Sequence, residues 1–191
     1  MKGNMMFLFL KILYKKIMRI LKEIYRKLLP ISKYPKYLRD KGVKIGEGCE
    51  IYKNANFGSE PYLISIGNYV RINEGVQLIT HDGGMWVLRH MNNYAKEFQD
   101  ADKFGKIIIK DNVHIGTNAI IMPGVTIGEN SIVACGAIVT HNIPANSVVA
   151  GIPAKQIETI EEYAQKQKDK YKNTKHMSQE EKRNFLQNLF S

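Results

Sequence analysis

A six-residue repeat in the second half of the chain restricts the fold more than any other feature of the sequence. From residue 109 the sequence divides in register into IKDNVH, IGTNAI, IMPGVT, IGENSI, VACGAI and VTHNIP. Each block opens with Ile or Val, and its fifth residue is mostly small or β-branched. A period of six matches neither the roughly 3.6-residue period of a helix nor the alternation of a single strand. The same pattern begins earlier, at Ile45, Ile51, Ile66 and Ile72.

The repeat predicts a triangular coil in which each side is one hexapeptide and three sides complete a turn. The leading aliphatic side chain points inward and stacks on its equivalents in neighbouring coils, while the fifth residue lies near a corner. Gly and Asn supply the turn conformations that bulkier residues resist. Hexapeptide β-helices wind left-handed, against the usual crossover rule. We therefore expect a mainly β protein, a left-handed parallel β-helix with helices at both ends and one long protruding loop.

Two interruptions break the six-residue register. The step from Ile51 to Ile66 is 15 residues, three more than two hexapeptides, which predicts a bulge or a small loop near GSEPYL. Residues 79–106 have no six-residue register, and they are polar and rich in His and aromatic residues. A loop of this length inside a compact repeat is usually functional. We therefore predict that 79–106 is the active-site loop.

The positive charge of the chain is concentrated in its N-terminal segment. Residues 1–41 contain 12 Lys and Arg against Glu23 and Asp40, a net charge of +10, and the other residues contain 16 of each sign. The pattern predicts a basic amphipathic helical segment over 1–40. Its apolar run is far shorter than the roughly 20 residues that a spanning helix needs, and it resembles no signal peptide. The apolar positions at helical spacing are Leu10, Leu13, Tyr14, Ile17, Met18, Leu21, Ile24, Tyr25 and Leu28.

Two interpretations of this N-terminal helix stay open. It either packs against its own trimer or lies, through residues 1–38, on an anionic membrane surface. Nucleic acid is not expected as a partner, because no nucleic-acid-binding module follows. We place the β-helix at 41–155 and a helical tail at 156–191. In that tail Ser178 and Glu181 form a capping-box motif that opens a last short helix.

The hexapeptides, the loop opening with THD and the run from IMPGVT to GIPAK resemble the sugar O-acetyltransferases of the hexapeptide-repeat family. Within it the chain is similar to the maltose and galactoside enzymes and to those that acetylate capsular and exopolysaccharide sugars. The likeness covers residues 41–158. It implies acetyl-CoA as cosubstrate, no metal, a free, lipid-linked or polymeric sugar acceptor, and a homotrimer with active sites between subunits. It also implies surface polysaccharide biosynthesis in the cytoplasm, at the inner face of the membrane if the N-terminal helix binds there.

The resemblance assigns the general base to His81, because a His at this place in the resembling enzymes removes the proton from the acceptor hydroxyl. The chemistry needs such a group, since a sugar hydroxyl is a poor nucleophile at neutral pH and imidazole titrates nearby. The thioester is already activated, so direct attack in a ternary complex needs no covalent intermediate. A turn-capping role is the alternative for His81. The adjacent Asp82 is a candidate for orienting the ring, with a plain turn residue as its alternative.

Two residues are candidates for binding the acceptor. Asn56, in the stretch NANF, matches an Asn of the galactoside enzymes that contacts the acceptor, and a turn Asn is the alternative. The acidic partner that follows it in that family is missing, because the matching stretch reads YLISIG. Trp86 in the long loop is a candidate for stacking on a sugar face, or for pinning the loop.

The resemblance also places an acetyl-CoA site along the later coils. The pantetheine arm is a chain of amides, which can lie in a groove between coils and bond to their backbone. Gly136 and Ala137 keep this groove open by being small, and Lys155 reaches the nucleotide phosphates. His141 stands where the family often has Lys. The residues carried over are Thr117, Cys135, Gly136, Ala137, Thr140, His141 and Lys155.

Other functions compete with sugar O-acetylation. N-acetylation of an amino sugar or its nucleotide form is the closest in chemistry. A γ-type carbonic anhydrase shares the fold and binds zinc through three His, for which His81, His90 and His114 are candidates, but the His-x4-His pair of that family is absent. A non-catalytic structural β-helix needs neither the His-bearing loop nor the GIPAK ending. Cys49 and Cys135 have no metal-site spacing and are expected as small buried thiols in a reducing compartment.

Overall fold

The computed structural model describes residues 2–191 and, within the first helix, the side chains of residues 7, 9–21, 23–26 and 28. Residues up to Ile160 form one compact unit and residues from Glu161 onward form a second. The helices are α1 (Lys2–Leu28), α2 (Tyr34–Arg39), α3 (Met85–Arg89), α4 (Ala95–Phe98), α5 (Ile160–Gln167) and α6 (Gln179–Leu189). The strands are β1 (Lys44–Ile45), β2 (Glu50–Ile51), β3 (Ile64–Ile66), β4 (Arg71–Ile72), β5 (Gln77–Leu78), β6 (His81–Asp82), β7 (Lys103–Phe104), β8 (Ile107–Ile109), β9 (His114–Ile115), β10 (Ile120–Ile121), β11 (Thr126–Ile127), β12 (Ile132–Val133), β13 (Ile138–Val139), β14 (Ser147–Ala150) and β15 (Lys155–Thr159).

The short strands of the first unit wind into a coil whose three sides are parallel sheets. Face 1 holds β1, β3, β8 and β11, and face 3 holds β5, β10 and β13. Face 2 holds β2, β4, β9, β12 and β14, with β15 added antiparallel at its end. On face 3 the paired residues Ile121 and Val139 are 18 residues apart, which is three hexapeptides. The parallel β-helix predicted from the repeat is therefore confirmed.

The core of this unit is the column of leading aliphatic residues inside the coil. Ile115, Ile121 and Val133 are wholly buried, as the inward position requires. Each such side chain contributes roughly 1.5–3 kcal/mol through burial. The fifth residues are buried at the corners, and Ser131 is accommodated there because its hydroxyl donates to the carbonyl of Pro144 at 3.1 Å. Both positions of the hexapeptide therefore have the places that the repeat predicts.

An asparagine ladder builds the corner between face 1 and face 2. Asn112, Asn130 and Asn146 have positive φ angles of 55°, 54° and 59°. Asn tolerates this left-handed conformation better than most residues. The side-chain amide of Asn112 donates to Asn130 at 2.9 Å, and that of Asn130 donates to Asn146 at 3.1 Å. The ladder therefore links three consecutive coils along one edge.

Two interruptions leave the coil at the end of face 3. After Phe57 a 3₁₀ turn at Pro61–Leu63 takes up the extra residues, which confirms the small loop predicted near GSEPYL. The second interruption, 79–106, contains β6, α3, α4 and β7. The long loop predicted from the sequence is therefore confirmed, and it has secondary structure of its own.

A two-stranded neck closes the long loop. β6 and β7 pair antiparallel, with His81 opposite Phe104 and Asp82 opposite Lys103. The amide of Gly105 donates to the carbonyl of Thr80 at 2.9 Å. Beyond this neck the coil resumes in register, since Leu78 on one side of the loop is paired with Ile121 on the other.

The N-terminal helix leads into a cap over the first coil. Leu29, Tyr34 and Leu38 are buried there. Arg26 fixes the end of α1 to the coil, because its guanidinium donates to the carbonyl of Lys53 at 2.6 Å. The predicted basic helix is present, and α2 completes the segment. None of the described helices combines the length and the apolar character that crossing a membrane would require.

The start of the C-terminal tail differs from the prediction of a helical segment over 156–191. The chain continues as β15 to Thr159, antiparallel to β14, with Lys155 opposite Ala150 and Thr159 opposite Ser147. The last strand of a coil leaves an open edge of backbone donors and acceptors, and the returning chain pairs with them. The sequence predicted a helix here because these residues are charged and polar. Their pattern gives no sign of the open strand edge of β14 with which they pair.

The second unit contains most of α5 and all of α6. Ser178 begins α6 with the predicted capping box, which the structure confirms. The amide of Glu181 donates to the Ser178 hydroxyl at 3.3 Å, and the amide of Ser178 donates to the Glu181 carboxylate at 2.7 Å. These bonds lower the pKa of the Glu181 carboxyl, the bond from the Ser178 backbone most strongly.

Candidate active site

His81 stands in the neck of the long loop, at the first position of β6. Its side chain is about half exposed, at 51%. The ring packs edge-on against Phe104 across the neck, with centroids 6.2 Å apart. The antiparallel pairing fixes the backbone of His81, while one side of the imidazole stays open to a substrate.

Glu60 holds the other side of the His81 ring. Its Oε2 lies 3.3 Å from His81 Nδ1 and accepts a hydrogen bond of 2.7 Å from the hydroxyl of Thr80. The bond from Thr80, followed by one from Ser59, lowers the pKa of the Glu60 carboxyl, so this group is ionised at neutral pH. A carboxylate can only accept, so in the neutral imidazole this contact favours the proton on Nδ1 and leaves the lone pair on Nε2. The pair therefore presents Nε2 as a proton acceptor.

Sequence reasoning missed Glu60, although a signal for it exists. Asn56 pairs with Gln77 in the next coil, a separation of 21 residues, and the same separation relates Glu60 to His81. The small loop after Phe57 and the long loop after Leu78 therefore leave the same edge of face 3, in two successive coils. Comparing the residues just after the two breaks would have put Glu60 against His81.

Asp82 does not orient His81, and this prediction is corrected. Successive residues of a strand point to opposite faces, so the Asp82 carboxylate turns away from the ring. It accepts from the amide of Gly84 at 2.9 Å and from Lys103 Nζ at 3.3 Å. These contacts lower the pKa of the Asp82 carboxyl, with the Gly84 bond as the largest cause. Asp82 is a turn residue that ties the two neck strands together.

Asn56 has both ends of its amide occupied by the coil. Its Oδ1 accepts from the amide of Gly58 at 3.0 Å, and its Nδ2 donates to Gln77 at 2.9 Å. This is the arrangement of a turn residue that joins two coils. Contact with an acceptor, as the resemblance implies, would use these atoms in addition or in exchange.

Trp86 is displayed on the surface of the long loop. It lies on α3 and is 66% exposed. Its ring centroid is 4.7 Å from that of His90, whose Nδ1 lies 2.7 Å from the carbonyl of Trp86. The indole face is thus supported from one side and free to meet a ligand from the other.

Three of the predicted CoA residues meet at the corner between face 2 and face 3. Thr117 and Cys135 occupy equivalent places in successive coils, and the amide of Gly136 donates to the carbonyl of Thr117 at 2.9 Å. The coils approach closely here, because a Cβ on Gly116 would lie 2.6 Å from the nitrogen of Cys135. Gly136 has a φ of 69° and open space where a side chain would point. Cys135 and Gly136 are exposed at this corner, and the space beside Gly136 is open.

The other predicted CoA residues border the same face. Ala137 is wholly buried, so its side chain packs in the core of the coil and lines no surface. Thr140 and His141 follow β13 at the opposite edge of face 3, where the Thr140 hydroxyl lies 2.8 Å from His141 Nδ1. Lys155 is exposed at the start of β15, next to Ala154, whose amide donates to the carbonyl of Ile138 on face 3. Six of the seven residues therefore lie along the two edges of face 3, and Lys155 lies on the last strand of face 2, next to a residue that bonds to face 3.

The three histidines considered as zinc ligands lie on different elements. His81 is in the neck, His90 follows α3, and His114 lies on β9 of face 2. Partial burial lowers the pKa of His114, with the positive charge of Arg71 as a smaller cause. Among the described residues, no group of three or more His, Cys, Asp or Glu is arranged to hold a metal ion.

Comparison with known proteins defines the family. The family model described as bacterial transferase hexapeptide (six repeats) matches residues 106–141. The chain belongs to the hexapeptide-repeat acetyltransferase family. In particular, it is 42% identical over 172 residues to Protein CapG of Staphylococcus aureus, covering 89% of this chain and 96% of that protein. The family resemblance predicted from the sequence is confirmed.

Two further similarities are narrower. The 2,3,4,5-tetrahydropyridine-2,6-dicarboxylate N-acetyltransferase of Staphylococcus carnosus is 62% identical over 56 residues, which cover 29% of this chain and 23% of that enzyme. The structure of a maltose O-acetyltransferase from Clostridium difficile 630 has a TM-score of 0.55 and 24% identity, covering 75% of this chain and 84% of that one. This structural likeness confirms the fold class, a left-handed parallel β-helix.

Proposed function

We propose that this protein transfers an acetyl group from acetyl-CoA to a sugar hydroxyl, in the biosynthesis of a surface polysaccharide. The observation that carries the proposal is the Glu60–His81 pair, with Oε2 3.3 Å from Nδ1. It leaves a proton-accepting nitrogen at the mouth of the one long loop of the coil. Membership of an acetyltransferase family supports the donor, and the resemblance to polysaccharide-modifying enzymes supports the acceptor.

In the proposed reaction His81 acts as the general base. Its Nε2 takes the proton from the acceptor hydroxyl as the oxygen attacks the thioester carbonyl. The tetrahedral intermediate collapses, the carbon–sulfur bond breaks, and the imidazolium returns the proton to the leaving thiolate. The products are an acetyl ester and free CoA. Glu60 stabilises the transient imidazolium and keeps the proton on Nδ1.

The donor would lie along face 3. The open corner at Gly136 leaves room for the pantetheine arm, and backbone amides of neighbouring coils can bond to it. Thr140 and His141 border the other edge of face 3. The chain passes from β5 into the neck that holds His81 at this same edge. Lys155 is exposed at the start of β15, next to Ala154, whose amide bonds to face 3, and would meet the nucleotide phosphates as a point charge.

Amine acceptors are the second candidate, because the Staphylococcus carnosus relative, an N-acetyltransferase, is 62% identical to a stretch of this chain. The deciding experiment offers labelled acetyl-CoA with free sugars, lipid-linked glycans and amino sugars, and compares the protein with His81→Asn. Mild alkali releases an ester-bound acetyl group and leaves an amide intact. We expect alkali-labile product that depends on His81. Alkali-stable product would establish N-acetylation, and label transfer to none of these acceptors would contradict the proposal.

We also propose a cytoplasmic homotrimer with active sites shared between subunits. Cys49 is half-buried and Cys135 is exposed, so the expectation that both are buried was wrong, but both are free thiols and compatible with a reducing compartment. The flat sides of the β-helix have exposed coil edges, and packing of three subunits around a three-fold axis would cover them. Light scattering at decreasing concentration tests the assembly. A stable monomer with full activity would contradict it.

A further inference from the structure

The N-terminal helix presents an apolar face that its own chain leaves uncovered. Apart from Ile12, which lies on the opposite side, and Met18 and Ile20, which lie about 20° outside it, the apolar side chains from residue 10 onward fall within an arc of roughly 120° at about 100° per residue. Each of them is between 41% and 78% exposed. Such a face requires a partner, because exposed apolar stripes of this size mark interaction surfaces. The residues of this apolar face are Leu10, Leu13, Tyr14, Ile17, Leu21, Ile24, Tyr25 and Leu28.

The opposite side of α1 is strongly basic. Lys11, Lys15, Lys16 and Arg19 are exposed there. Glu23 is the acidic residue within the helix sequence, and it is paired with Arg26 three residues on. The positive charge of the helix is therefore almost uncompensated by the helix itself.

A second copy of this chain is a poor match for such a helix. Residues 42–191 contain 16 basic and 16 acidic residues, so they provide no acidic excess to receive it. Bundling α1 with its own copies would bring like charges together, and only Glu23 of each helix could offset them. An anionic lipid bilayer supplies both missing features, a negative surface and an apolar region into which the apolar face of such a helix is buried by about 5–10 Å.

We propose that α1 lies flat on an anionic phospholipid surface and holds the β-helix there. A helix of 27 residues extends about 40 Å, so several of its turns can contact the lipid at the same time. Its C-terminal end is fixed to the first coil. Arg26 and the Tyr34 hydroxyl both donate to the carbonyl of Lys53, at 2.6 Å and 3.3 Å. Lipid binding by α1 therefore positions the whole first unit at the surface.

The test uses the full-length protein and sedimentation with vesicles. One set is phosphatidylcholine with phosphatidylglycerol, and the other is phosphatidylcholine alone. The variant Lys15→Gln/Lys16→Gln/Arg19→Gln removes three charges from α1, and we expect binding to anionic vesicles to fall on the order of a hundredfold. The matched control Lys168→Gln/Lys170→Gln/Lys172→Gln removes three exposed charges elsewhere and should bind like the parent.

A second variant, Ile17→Gln/Leu21→Gln, keeps the charge and removes part of the apolar face, so its binding should also fall. Both side chains are exposed, and unchanged circular dichroism will show that the fold is kept. Equal binding to the two kinds of vesicle would overturn the proposal. So would an absence of vesicle binding, and if the Ile17/Leu21 variant also dissociated the oligomer, the occupant of the face would be a second copy.

Discussion

Glu60 and His81 are 21 residues apart in the chain, yet their side chains meet at 3.3 Å between successive coils. Asn56 and Gln77 pair between the same coils with the same separation. The stacking of the two coils therefore continues past the end of face 3 and brings Glu60 next to His81. Neither local sequence nor the long loop alone would create this contact. A rigid repeat thus aligns a carboxylate with an imidazole at the point where the repeat breaks.

Replacing His81 with Ala should lower turnover by about 10²–10⁴-fold, because the acceptor hydroxyl loses its base. His81→Asn should be nearly as slow, since an amide cannot take the proton. Steady-state kinetics on both variants checks this, with acetyl-CoA affinity as the control, because His81 supports no coil. A variant that keeps more than about a tenth of parental turnover would remove His81 from this role.

Glu60→Gln should lower kcat at least about tenfold while leaving acetyl-CoA affinity unchanged. The Gln amide can donate to Nδ1 and so favour the tautomer whose Nε2 carries the proton. Glu60→Asp, which keeps the charge, should recover part of the activity. If Gln and Asp variants lose activity equally, the carboxylate only braces the loop.

Lys155→Ala should weaken acetyl-CoA binding by roughly 1–2 kcal/mol, the effect of one partly exposed charge at a phosphate. Titration calorimetry measures it directly. Lys110→Ala is a matched control, since Lys110 is also exposed and directly follows β8 on face 1. Unchanged affinity in Lys155→Ala would place the nucleotide elsewhere.

Asn130→Ala should destabilise the coil by about 2–3 kcal/mol. It removes two ladder bonds of 2.9 Å and 3.1 Å and forces Ala into a φ of 54°. Asn130→Gly loses the bonds without the strain, so it should cost less. Chemical denaturation of both variants separates the two effects, and equal losses would mean that the conformation contributes nothing.

His114→Gln should make the protein less sensitive to acid. Burial lowers the pKa of His114 below its ordinary 6.5, so the unfolded chain takes up this proton at higher pH than the folded one. The parent therefore loses stability as the pH falls below 6.5, and the contribution at higher pH is intact. Thermal unfolding between pH 7.5 and pH 5 should show a smaller drop in Tm for the variant. Parallel curves would refute this.

The coil was predictable from sequence because only a three-sided coil points every sixth aliphatic side chain inward. Ile115 and Val133 are buried and paired as the hexapeptides require. Glu60 was not predictable in the same way, since it lies where the register stops. Asp82 was a candidate for orienting His81, with a turn residue as its alternative, and its contacts with Gly84 and Lys103 are those of the turn residue. β15 was missed because an open edge is a property of the folded coil.

The neck of the long loop has a consequence for how such an enzyme can change. Leu78 and Ile121 are paired in adjacent coils although the loop 79–106 lies between them in the sequence. The stacking of the coils is therefore independent of the length of the loop. Residues 83–102 can then vary, or be exchanged for those of a relative, with the His81–Phe104 clasp left in place. Under the proposed function, the loop that would contact the acceptor and the His81 pair that would act as the base can therefore change independently.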